Sequence, residues 1–390
     1  MDYWKHLTED ILPNWLKITP DLKGGGAYTD FNPDGTQKDT DKNVWFQGRA
    51  LWSYAMAYRL CTPKPEYLDM CAHIYPFLKK CILENGELPF LVHRDGSPAK
   101  IRPVYYYSEM FAAMGCAQYY RICKDPDVWQ TADTLFNTVF ELYIKNRYTT
   151  QELPETAPVP VKTFGLHMAM LATAQFLRNA APDPTKYDLA CTMAVEEMMH
   201  GGYFEEDSGL LYEHRTLSGE PLQLPLGTIS VPGHIYEAAW FVMCEGAVKQ
   251  DTNILAFGKK LLDSAMPQGF VSITDVIPTV CDLSRPLEES LKGSYLAWPQ
   301  QEAVIAFRLG YNLYGDETYL TISRQIETAM RSYYTRFEGA IWIREILKEG
   351  GNWVTSVPAG NHINGPFHYE RYLLAMGTLE QTGSILPYMA

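Results

Sequence analysis

The chain has 390 residues, of which 46% are hydrophobic and 13% aromatic, and its formal net charge is −13. This composition is typical of a globular protein with a large core. The excess of acidic residues argues against nucleic acid or an anionic membrane as a partner. No apolar run reaches the roughly 18 residues that a membrane span needs, and the charged N-terminus is unlike a signal peptide. We therefore expect a cytoplasmic protein.

The eight cysteines form no C-x-x-C pair. Most of them fall on apolar helix faces, as reduced core residues of a cytosolic protein do. No linker rich in Pro, Gly or Ser divides the chain, and neither does a block of like charges. We therefore predict one domain that covers residues 1–390.

Apolar residues recur at i, i+3, i+4 and i+7 along most of the chain, which is the pattern of amphipathic helices. Prolines mark several boundaries, because Pro63 and Pro65 separate the second helix from the third and Asp125-Pro126 opens the fifth. The pattern predicts about twelve helices, near 2–17, 44–61, 65–84, 105–122, 126–145, 163–178, 183–200, 232–248, 251–266, 295–312, 316–336 and 366–381.

Short segments with strand-like composition lie between some of the helices. Segments 26–31 and 88–93 each precede a turn, and segments 203–205 and 210–214 flank one. We expect β-hairpins here, at one end of a helical body.

The predicted links after helices two, four, six, eight and ten are short, whereas those after helices one, three, seven, nine and eleven are longer. This alternation predicts an all-α fold, the (α/α)6 barrel, in which six inner helices form a ring and six outer helices surround it. The even-numbered helices would be the inner ones. A helical-repeat solenoid is the alternative, although the chain has no repeated signature.

A polar residue stands near the start of each even-numbered helix, roughly every 60 to 70 residues. The barrel would bring these N-terminal ends to one mouth. Partial positive charge at six helix N-termini would favour a substrate that becomes anionic during the reaction. The six residues are Arg49, Tyr107, His167, His234, Glu302 and His368.

Two of these residues are histidines at helix starts. His234 follows Val231-Pro-Gly and has Glu237 three residues later, so the two side chains are neighbours on one helix face. His368 follows Gly-Pro in a similar way. Each could be a satisfied polar residue by itself, but two such histidines favour catalysis. Histidine can act as both acid and base near neutral pH.

Glu302 and Arg49 would bring charge to the same mouth. Glu302 precedes an apolar helix, where a carboxylate needs a partner. It could orient a histidine, hold sugar hydroxyls or form a salt bridge with an arginine. Arg49 lies among aromatic residues, and its guanidinium suits a sugar oxygen or a carboxylate. A structural ion pair is the alternative for Arg49.

Tyr107, Glu109 and His167 are less specific candidates. Tyr107 and Glu109, which follow Tyr105 and Tyr106, would supply stacking or polar contacts, or else ordinary packing. His167 could contact a ligand or be a hydrogen-bonded core histidine. The other histidines lie on outer helices or hairpins, or close to His368, and are assigned no role: His6, His73, His93, His200, His214 and His362.

Several common motifs are absent from the sequence. It contains no phosphate-binding G-x-x-x-x-G-K-[ST], no G-x-G-x-x-G after a strand, no H-E-x-x-H and no G-x-S-x-G. We therefore expect neither a cofactor nor a metal, which leaves acid–base chemistry by histidines.

Five segments carry a resemblance to a known family. They are 25–31, Trp45-Phe-Gln-Gly-Arg-Ala-Leu-Trp52, Pro232-Gly-His-Ile-Tyr-Glu237, Trp298-Pro-Gln-Gln-Glu302 and Gly365-Pro-Phe-His-Tyr-Glu-Arg371. In this order, and over nearly the whole chain, they resemble the N-acylglucosamine 2-epimerase superfamily. The resemblance implies the (α/α)6 barrel, a funnel-shaped site that binds a reducing sugar, and a homodimer.

The resemblance also implies roles for individual residues. His234 and His368 match the two catalytic histidines, Arg49 matches the site arginine, and Glu237 and Glu302 match the site glutamates. We expect contacts with the substrate from Tyr107, His167, Trp298, Glu109 and Arg371.

The superfamily includes N-acylglucosamine 2-epimerases, cellobiose 2-epimerases and mannose-type aldose–ketose isomerases. The forms W-x-Q-G-R and G-P-F-H-x-x-R are most similar to the N-acylglucosamine branch, whereas His167 is similar to a histidine of the other two branches. The implied reaction starts when one histidine removes the C2 proton of an open-chain aldose to give an enediolate, with Arg49 stabilising the oxyanion. The second histidine then returns a proton to the opposite face of C2 in an epimerase. In an isomerase the proton is delivered to C1.

Two other classes of function remain open at this stage. A glycoside hydrolase or lyase on the same barrel would use paired carboxylates, drawn from Asp30, Glu109, Glu237 and Glu302. A non-catalytic sugar-binding or protein-interaction module would bind a ligand without exchange at C2.

Overall fold

The computed structural model describes residues 1–32, 35–100, 106–145, 161–223, 226–265, 276–284, 294–334, 343–349, 352–358 and 365–389. Tyr105 and His362, named above, lie outside the described residues.

Helices account for most of the described residues. We number them in chain order and group three consecutive helical pieces, Tyr3–His6, the π-helical Leu7–Ile11 and Leu12–Ile18, as α1. The others are α2 Val44–Leu60, α3 Pro65–Lys80, α4 Tyr107–Cys123, α5 Pro126–Ile144, α6 Phe164–Arg178, α7 Thr185–His200, α8 Pro232–Lys249, α9 Thr252–Ser264, α10 Ala297–Tyr314, α11 Glu317–Tyr333, α12 His368–Thr382 and α13 Leu386–Met389.

Capping residues explain where several of these helices begin. The Asn43 side chain accepts a hydrogen bond from the Phe46 N–H at the start of α2, and Asp125, Asp251 and Asp316 cap α5, α9 and α11 in the same way. Such side chains satisfy backbone donors that the first helical turn leaves free. The boundaries predicted from sequence agree with the structure to within a few residues.

The even-numbered helices form a closed ring. Each of them packs against the next even-numbered helix, and α12 returns to α2. Each odd-numbered helix from α3 to α11 packs outside the even-numbered helix that precedes it, and α1 packs against α12. The predicted (α/α)6 barrel is therefore confirmed, with the even-numbered helices inside. Burial follows the same rule, because α6 is buried at every position.

Short strands lie near the N-terminal ends of the inner helices. They pair as β1–β2–β3, β4–β7, β5–β6, β8–β9 and β10–β11–β12. The predicted hairpins at 88–93 and 203–214 are present as β2–β3 and β5–β6. The sheet that β10 forms with β11 and β12 was not predicted. The strands are β1 Lys42–Asn43, β2 Leu91–Val92, β3 Pro98–Lys100, β4 Val161–Thr163, β5 Phe204–Glu205, β6 Leu210–Leu211, β7 His214–Thr216, β8 Ile229–Ser230, β9 Cys281–Asp282, β10 Ser294–Leu296, β11 Ile343–Glu349 and β12 Asn352–Pro358.

The interior of the ring is filled by large aromatic side chains. Tyr388, on α13, is fully buried. Its ring lies 6.1 Å from Trp52, 5.9 Å from Phe176 and 6.0 Å from Trp240, measured between centroids. These three residues belong to three different inner helices, so the C-terminal helix helps to hold the ring together. Within the described part of the chain, no helix is long and apolar enough to cross a lipid bilayer.

Candidate active site

A cavity of about 420 Å³ opens among the N-terminal halves of the inner helices. This volume falls in the range of small-molecule sites. All six inner helices contribute to its wall. Seven of the ten residues that the sequence proposed for a site line this cavity: Arg49, Tyr107, His234, Glu237, Trp298, His368 and Arg371.

His368, at the first position of α12, belongs to a buried charge network. Its Nδ1 lies 2.9 Å from Oε1 of Glu302. The same oxygen accepts hydrogen bonds from Nη2 of Arg371 at 2.6 Å and from its Nε at 3.2 Å. Glu302 therefore holds His368 and pairs with an arginine, so two of the roles considered for it occur together.

Three further contacts belong to this network. Nη2 of Arg371 also lies 3.1 Å from Nδ1 of His368. Trp240 donates from Nε1 to the second oxygen of Glu302 at 2.9 Å, and Nη2 of Arg371 also donates to Glu237. Glu302 is fully buried and Arg371 nearly so. A buried carboxylate is stable only when it is paired and hydrogen-bonded in this way. Burial raises the pKa of Glu302, and the charge of Arg371 opposes that rise.

The surroundings of His368 disfavour its protonated form. Burial lowers the pKa of His368 well below its usual value, and the positive charges of Arg371 and Arg49 lower it further. Its position at a helix N-terminus acts in the same direction. His368 is therefore a neutral imidazole near pH 7, as a proton acceptor must be.

His234, on α8, has a different partner. Its Nδ1 lies 3.0 Å from Oε2 of Glu213, a carboxylate that the sequence did not identify. Glu237, its neighbour on the helix, instead pairs with Arg371. Burial by itself would lower the pKa of His234, but the charge and hydrogen bond of Glu213, with the charge of Glu237, raise it overall. The two histidines thus differ in their favoured protonation state.

Trp298 is in contact with both histidines. Its ring centroid is 5.6 Å from that of His234 and 5.4 Å from that of His368. The indole is packed closely against α8, because a Cβ atom at Gly233 would lie 2.3 Å from it. An aromatic face at this position suits the apolar face of a sugar.

Arg49 reaches the cavity through aromatic side chains, as its sequence context suggested. Its guanidinium carbon lies 4.0 Å above the centroid of Phe111 and 5.0 Å above that of Phe367. Burial and the charge of Arg371 lower the pKa of Arg49 to about 9, so it remains a cation at neutral pH. Tyr107 stacks on Phe111 with a centroid separation of 5.9 Å and also lines the cavity.

His167 and Glu109 lie away from the cavity wall. His167 is fully buried, with Nδ1 2.7 Å from the Tyr143 hydroxyl and Nε2 2.8 Å from the Tyr203 hydroxyl. Burial lowers the pKa of His167 to about 3. Glu109 accepts a hydrogen bond from the Leu88 N–H at 2.9 Å. Of the two interpretations of His167, its surroundings fit the core histidine, and the expected substrate contacts of His167 and Glu109 have no support in this geometry.

His214 was assigned no role from sequence, yet it lines the cavity. It lies on β7, directly after Glu213. Its buried Nδ1 has no hydrogen-bond partner within the described part of the protein. Burial and the nearby His234 lower the pKa of His214, which favours a neutral imidazole at the cavity wall.

The opposite side of the cavity is apolar. The wall contributed by α4 and α6 consists largely of small and flexible apolar side chains. These are Met110, Met114, Met168, Ala169 and Ala172. The cavity therefore combines a charged wall from α8 and α12 with an apolar wall, which suits a polar ligand that carries an apolar substituent.

Glu237, Glu302 and His368 have possible ligand atoms within 4.8 Å of one another, close enough for a metal ion. Arg371 donates hydrogen bonds to both carboxylates. The guanidinium thus occupies the place and neutralises the charge that a cation would need. This cluster suits an arginine better than a metal.

Comparisons with known proteins identify the family of this chain. The model of the family described as N-acylglucosamine 2-epimerase matches residues 26–364. The chain belongs to the N-acylglucosamine 2-epimerase family. This confirms the resemblance found in the sequence, and the family and its relatives are named as carbohydrate epimerases, a type of isomerase.

Members of this family and proteins of the same fold cover almost the whole chain. An N-acylglucosamine 2-epimerase of Bos taurus is 25% identical and covers 93% of this chain and 87% of its own. The structure of a cellobiose 2-epimerase from Bacillus thermoamylovorans matches with a TM-score of 0.83 at 19% identity, covering 97% of this chain and 98% of its own. A D-mannose isomerase matches with a TM-score of 0.76 at 17% identity, covering 96% and 97%. The two structural matches establish the barrel fold.

Proposed function

We propose that the protein is a cofactor-free sugar 2-epimerase that acts at the reducing-end C2 of an open-chain aldose, as one domain over residues 1–390. One observation carries this proposal. Two histidines, each with its Nδ1 held by a buried glutamate, line the same cavity and both contact Trp298. Removal and return of a proton at one carbon need two such groups on opposite faces of the substrate.

The first step transfers the C2 proton to His368. With the Nδ1 proton directed to Glu302, Nε2 of the neutral imidazole is free to act as the base. The electron pair of the C2–H bond becomes the C1–C2 double bond, and the carbonyl electrons move to O1. The product is an enediolate when C2 carries a hydroxyl group and an enolate when it carries an acylamino group. Arg371 and Arg49 are the cations whose charges lower the pKa of His368 most. Fixed positive charge at this place stabilises the developing oxyanion.

The second step returns a proton from His234. Its pKa is raised whereas that of His368 is lowered, so His234 is the more readily protonated member of the pair. Delivery to the opposite face of C2 re-forms the C1 carbonyl and inverts the configuration. The enzyme then exchanges protons with solvent before the next turnover, which requires neither a redox step nor a cofactor.

The first candidate substrates are N-acylglucosamine and N-acylmannosamine. The Bos taurus relative carries the name of this activity, and the apolar wall of α4 and α6 offers room for an acyl group. An aldose–ketose isomerase of the mannose type and a cellobiose 2-epimerase remain alternatives on the same scaffold, because structures of both have this fold. In the isomerase, the proton would return to C1 instead of C2.

A glycoside hydrolase fits these residues less well. Such enzymes need one carboxylic acid and one carboxylate that face the scissile bond from different sides. Here Glu237 and Glu302 share a single guanidinium nitrogen of Arg371. Two carboxylates bound to one cation serve poorly as a proton donor and a nucleophile.

We also propose a compartment and an oligomeric state for the enzyme. All eight cysteines are free, which supports a reducing compartment such as the cytoplasm. We propose a homodimer by analogy with the family, and sedimentation at several protein concentrations would test it.

Proton NMR in D₂O tests the function directly. The purified protein is incubated with N-acetylglucosamine, N-acetylmannosamine, mannose, fructose, glucose and cellobiose in separate samples. Deuterium at C2 of an epimeric product establishes the 2-epimerase and names its substrate. A ketose product would establish the isomerase instead. If no sugar gains deuterium, the proposal is wrong, and release of sugar from an aryl glycoside would then indicate a hydrolase.

A further inference from the structure

Glu213 is fixed at the junction of two inner helices. Its carbonyl accepts a hydrogen bond from the N–H of Phe164, the first residue of α6, at 2.9 Å. Its own N–H donates at 2.8 Å to Ile229, in the strand β8 that leads into α8. The pairing of β4 with β7 begins at the next residue. The backbone of Glu213 therefore has one position relative to both helices.

The side chain of Glu213 is held at both carboxylate oxygens. Oε1 accepts a hydrogen bond from the N–H of Gly165 at 3.1 Å, and Oε2 lies 3.0 Å from Nδ1 of His234. Only 5% of the side chain is exposed. A Cβ atom at Gly165 would lie 2.6 Å from the His234 ring and 3.0 Å from Oε1 of Glu213. Glycine at this position thus leaves the space in which the carboxylate and the imidazole meet.

We propose that Glu213 is a positioning residue for the reaction: it accepts the Nδ1 proton of His234 and so directs Nε2 of this histidine to C2 of the substrate. The proposal rests on the function assigned above. A carboxylate that accepts the proton of one ring nitrogen selects the tautomer and the ring orientation of a histidine. Nothing else among the described residues contacts this nitrogen at hydrogen-bond distance.

Glu213 also influences which of the two histidines, His234 or His368, holds the proton used in the reaction. Four titratable groups act electrostatically on His234 or feel its charge: Glu213 and His214 from the hairpin, Glu237 from α8 and His368 from α12. The two carboxylates raise the pKa of His234 against the effect of burial. A single proton on the pair is therefore held by His234 in preference to His368.

The sign of the pH dependence follows from this arrangement. Turnover in either direction needs one proton on the pair. Because the folded-state pKa of His234 is raised, this proton is held at pH values below that pKa and is lost as the pH rises through it. Activity therefore declines on the alkaline side. Replacing the carboxylate of Glu213 by an uncharged group should move this decline to lower pH.

The test uses Glu213→Gln in the full-length protein. The Gln amide can donate to Nδ1, which would place the single proton of the neutral histidine on Nε2, so that Nε2 cannot accept a proton from C2 in the reverse direction. The substitution also removes the negative charge that stabilises the protonated form of His234. We expect kcat to fall about 100-fold or more, with a smaller change in KM. We also expect the alkaline limb of the rate profile to move to lower pH. Glu213→Asp, which keeps the charge but shortens the reach, should restore part of this limb.

Titration of His234 by NMR gives a readout that does not depend on turnover. The ring of His234 is observed with ¹³C-labelled histidine and assigned by comparison with His234→Gln. Its pKa should fall in Glu213→Gln and remain unchanged in Glu220→Gln, a control on an exposed glutamate of the same hairpin. An unchanged pKa in Glu213→Gln would overturn the proposal, even if the wild type is an epimerase. If the pKa falls but no sugar undergoes exchange in the wild type, the assigned function is wrong and the contact with Glu213 still stands.

Discussion

The two histidines of the cavity occupy opposite electrostatic environments although each contacts a buried glutamate. Glu213 has no cation at hydrogen-bond distance other than His234 among the described residues, so its charge acts on the histidine. Glu302 is already neutralised by Arg371, and its histidine feels the two arginines instead. A carboxylate that is already paired with an arginine thus raises the pKa of a neighbouring histidine less than a carboxylate that has no other cation beside it.

This difference gives the two sides of the substrate different tasks. His368 is the resting base and His234 the resting acid. A pair with pKa values held apart in this way can carry one proton between two faces of a carbon at neutral pH. The following variants alter one side at a time.

Removal of either histidine should have the largest effect. His234→Ala and His368→Ala should each lower epimerisation by about 100- to 10,000-fold and leave the fold intact. In D₂O, His234→Ala should still exchange the C2 hydrogen of one epimer, because His368 can remove it and return deuterium to the same face. His368→Ala should exchange only the other epimer, at a rate that rises with pH as His234 becomes neutral.

NMR of each purified epimer measures this exchange. The exposed His200, on the outer helix α7, provides the control His200→Ala. Epimerisation at wild-type rates by either catalytic variant would contradict the two-histidine mechanism. Exchange of both epimers by one variant would show that the two histidines do not face opposite sides of C2.

Removal of Arg371 should make the environment of His368 more like that of His234. Arg371→Leu leaves Glu237 and Glu302 buried without their shared cation, at a cost of about 3–5 kcal/mol in the free energy of unfolding. In molecules that remain folded, loss of the arginine charge should raise the pKa of His368. Urea denaturation measures the first effect and histidine NMR the second.

Arg324→Leu, on the exposed face of α11, is the control for that substitution. It should change the free energy of unfolding by less than about 0.5 kcal/mol. A stable Arg371→Leu with an unchanged pKa of His368 would show that the arginine does not set the protonation state of this side.

Much of the His368 side could be predicted from the sequence. His368, Glu302 and Arg371 lie on inner helices within short motifs, and the alternation of links placed those helices in one ring. Each residue is near a helix N-terminus, so the ring alone brings them together. Contacts that depend only on where the helices lie can be predicted from the sequence pattern.

The His234 side was harder to predict. Glu213 lies in a hairpin segment and reaches α8 only through the pairing of β4 with β7 and the contact with β8. Strands of two or three residues leave almost no pattern in a sequence. The sequence does contain one signal, a carboxylate next to apolar residues in the segment 210–214. The sequence pattern predicts a hairpin for this segment and no role for the carboxylate.

His167 shows a second limit. It was predicted at the correct end of the correct helix, but the cavity is lined by Met168, Ala169, Ala172 and Thr173. One residue corresponds to a rotation of about 100° around a helix. An uncertainty of one position in the phase of α6 is therefore enough to turn a side chain from the cavity to Tyr143 and Tyr203.

A methyl group at Gly165 should disturb only the His234 side. In Gly165→Ala the new Cβ would lie 2.6 Å from the His234 ring, so the imidazole must move. Displacements of this size cost up to about 100-fold in kcat. Gly258→Ala is the control, because its Cβ would press on the flexible Met243 at 2.7 Å, away from the cavity. It should lower stability without changing kcat, and equal kcat in both variants would contradict the tight fit around His234.

The smallest effect is expected at His214, the neutral neighbour of Glu213. Its side chain lines the cavity, so a bound sugar can form a hydrogen bond with its neutral imidazole. His214→Phe keeps a ring and removes the hydrogen bond, which is worth about 0.5–1.5 kcal/mol. KM should therefore rise about 2- to 10-fold while kcat stays nearly constant. Initial rates over a range of substrate concentrations measure both, with His200→Phe as the control. A fall in kcat without a rise in KM would mean that His214 acts on the chemical step through His234 and not on binding.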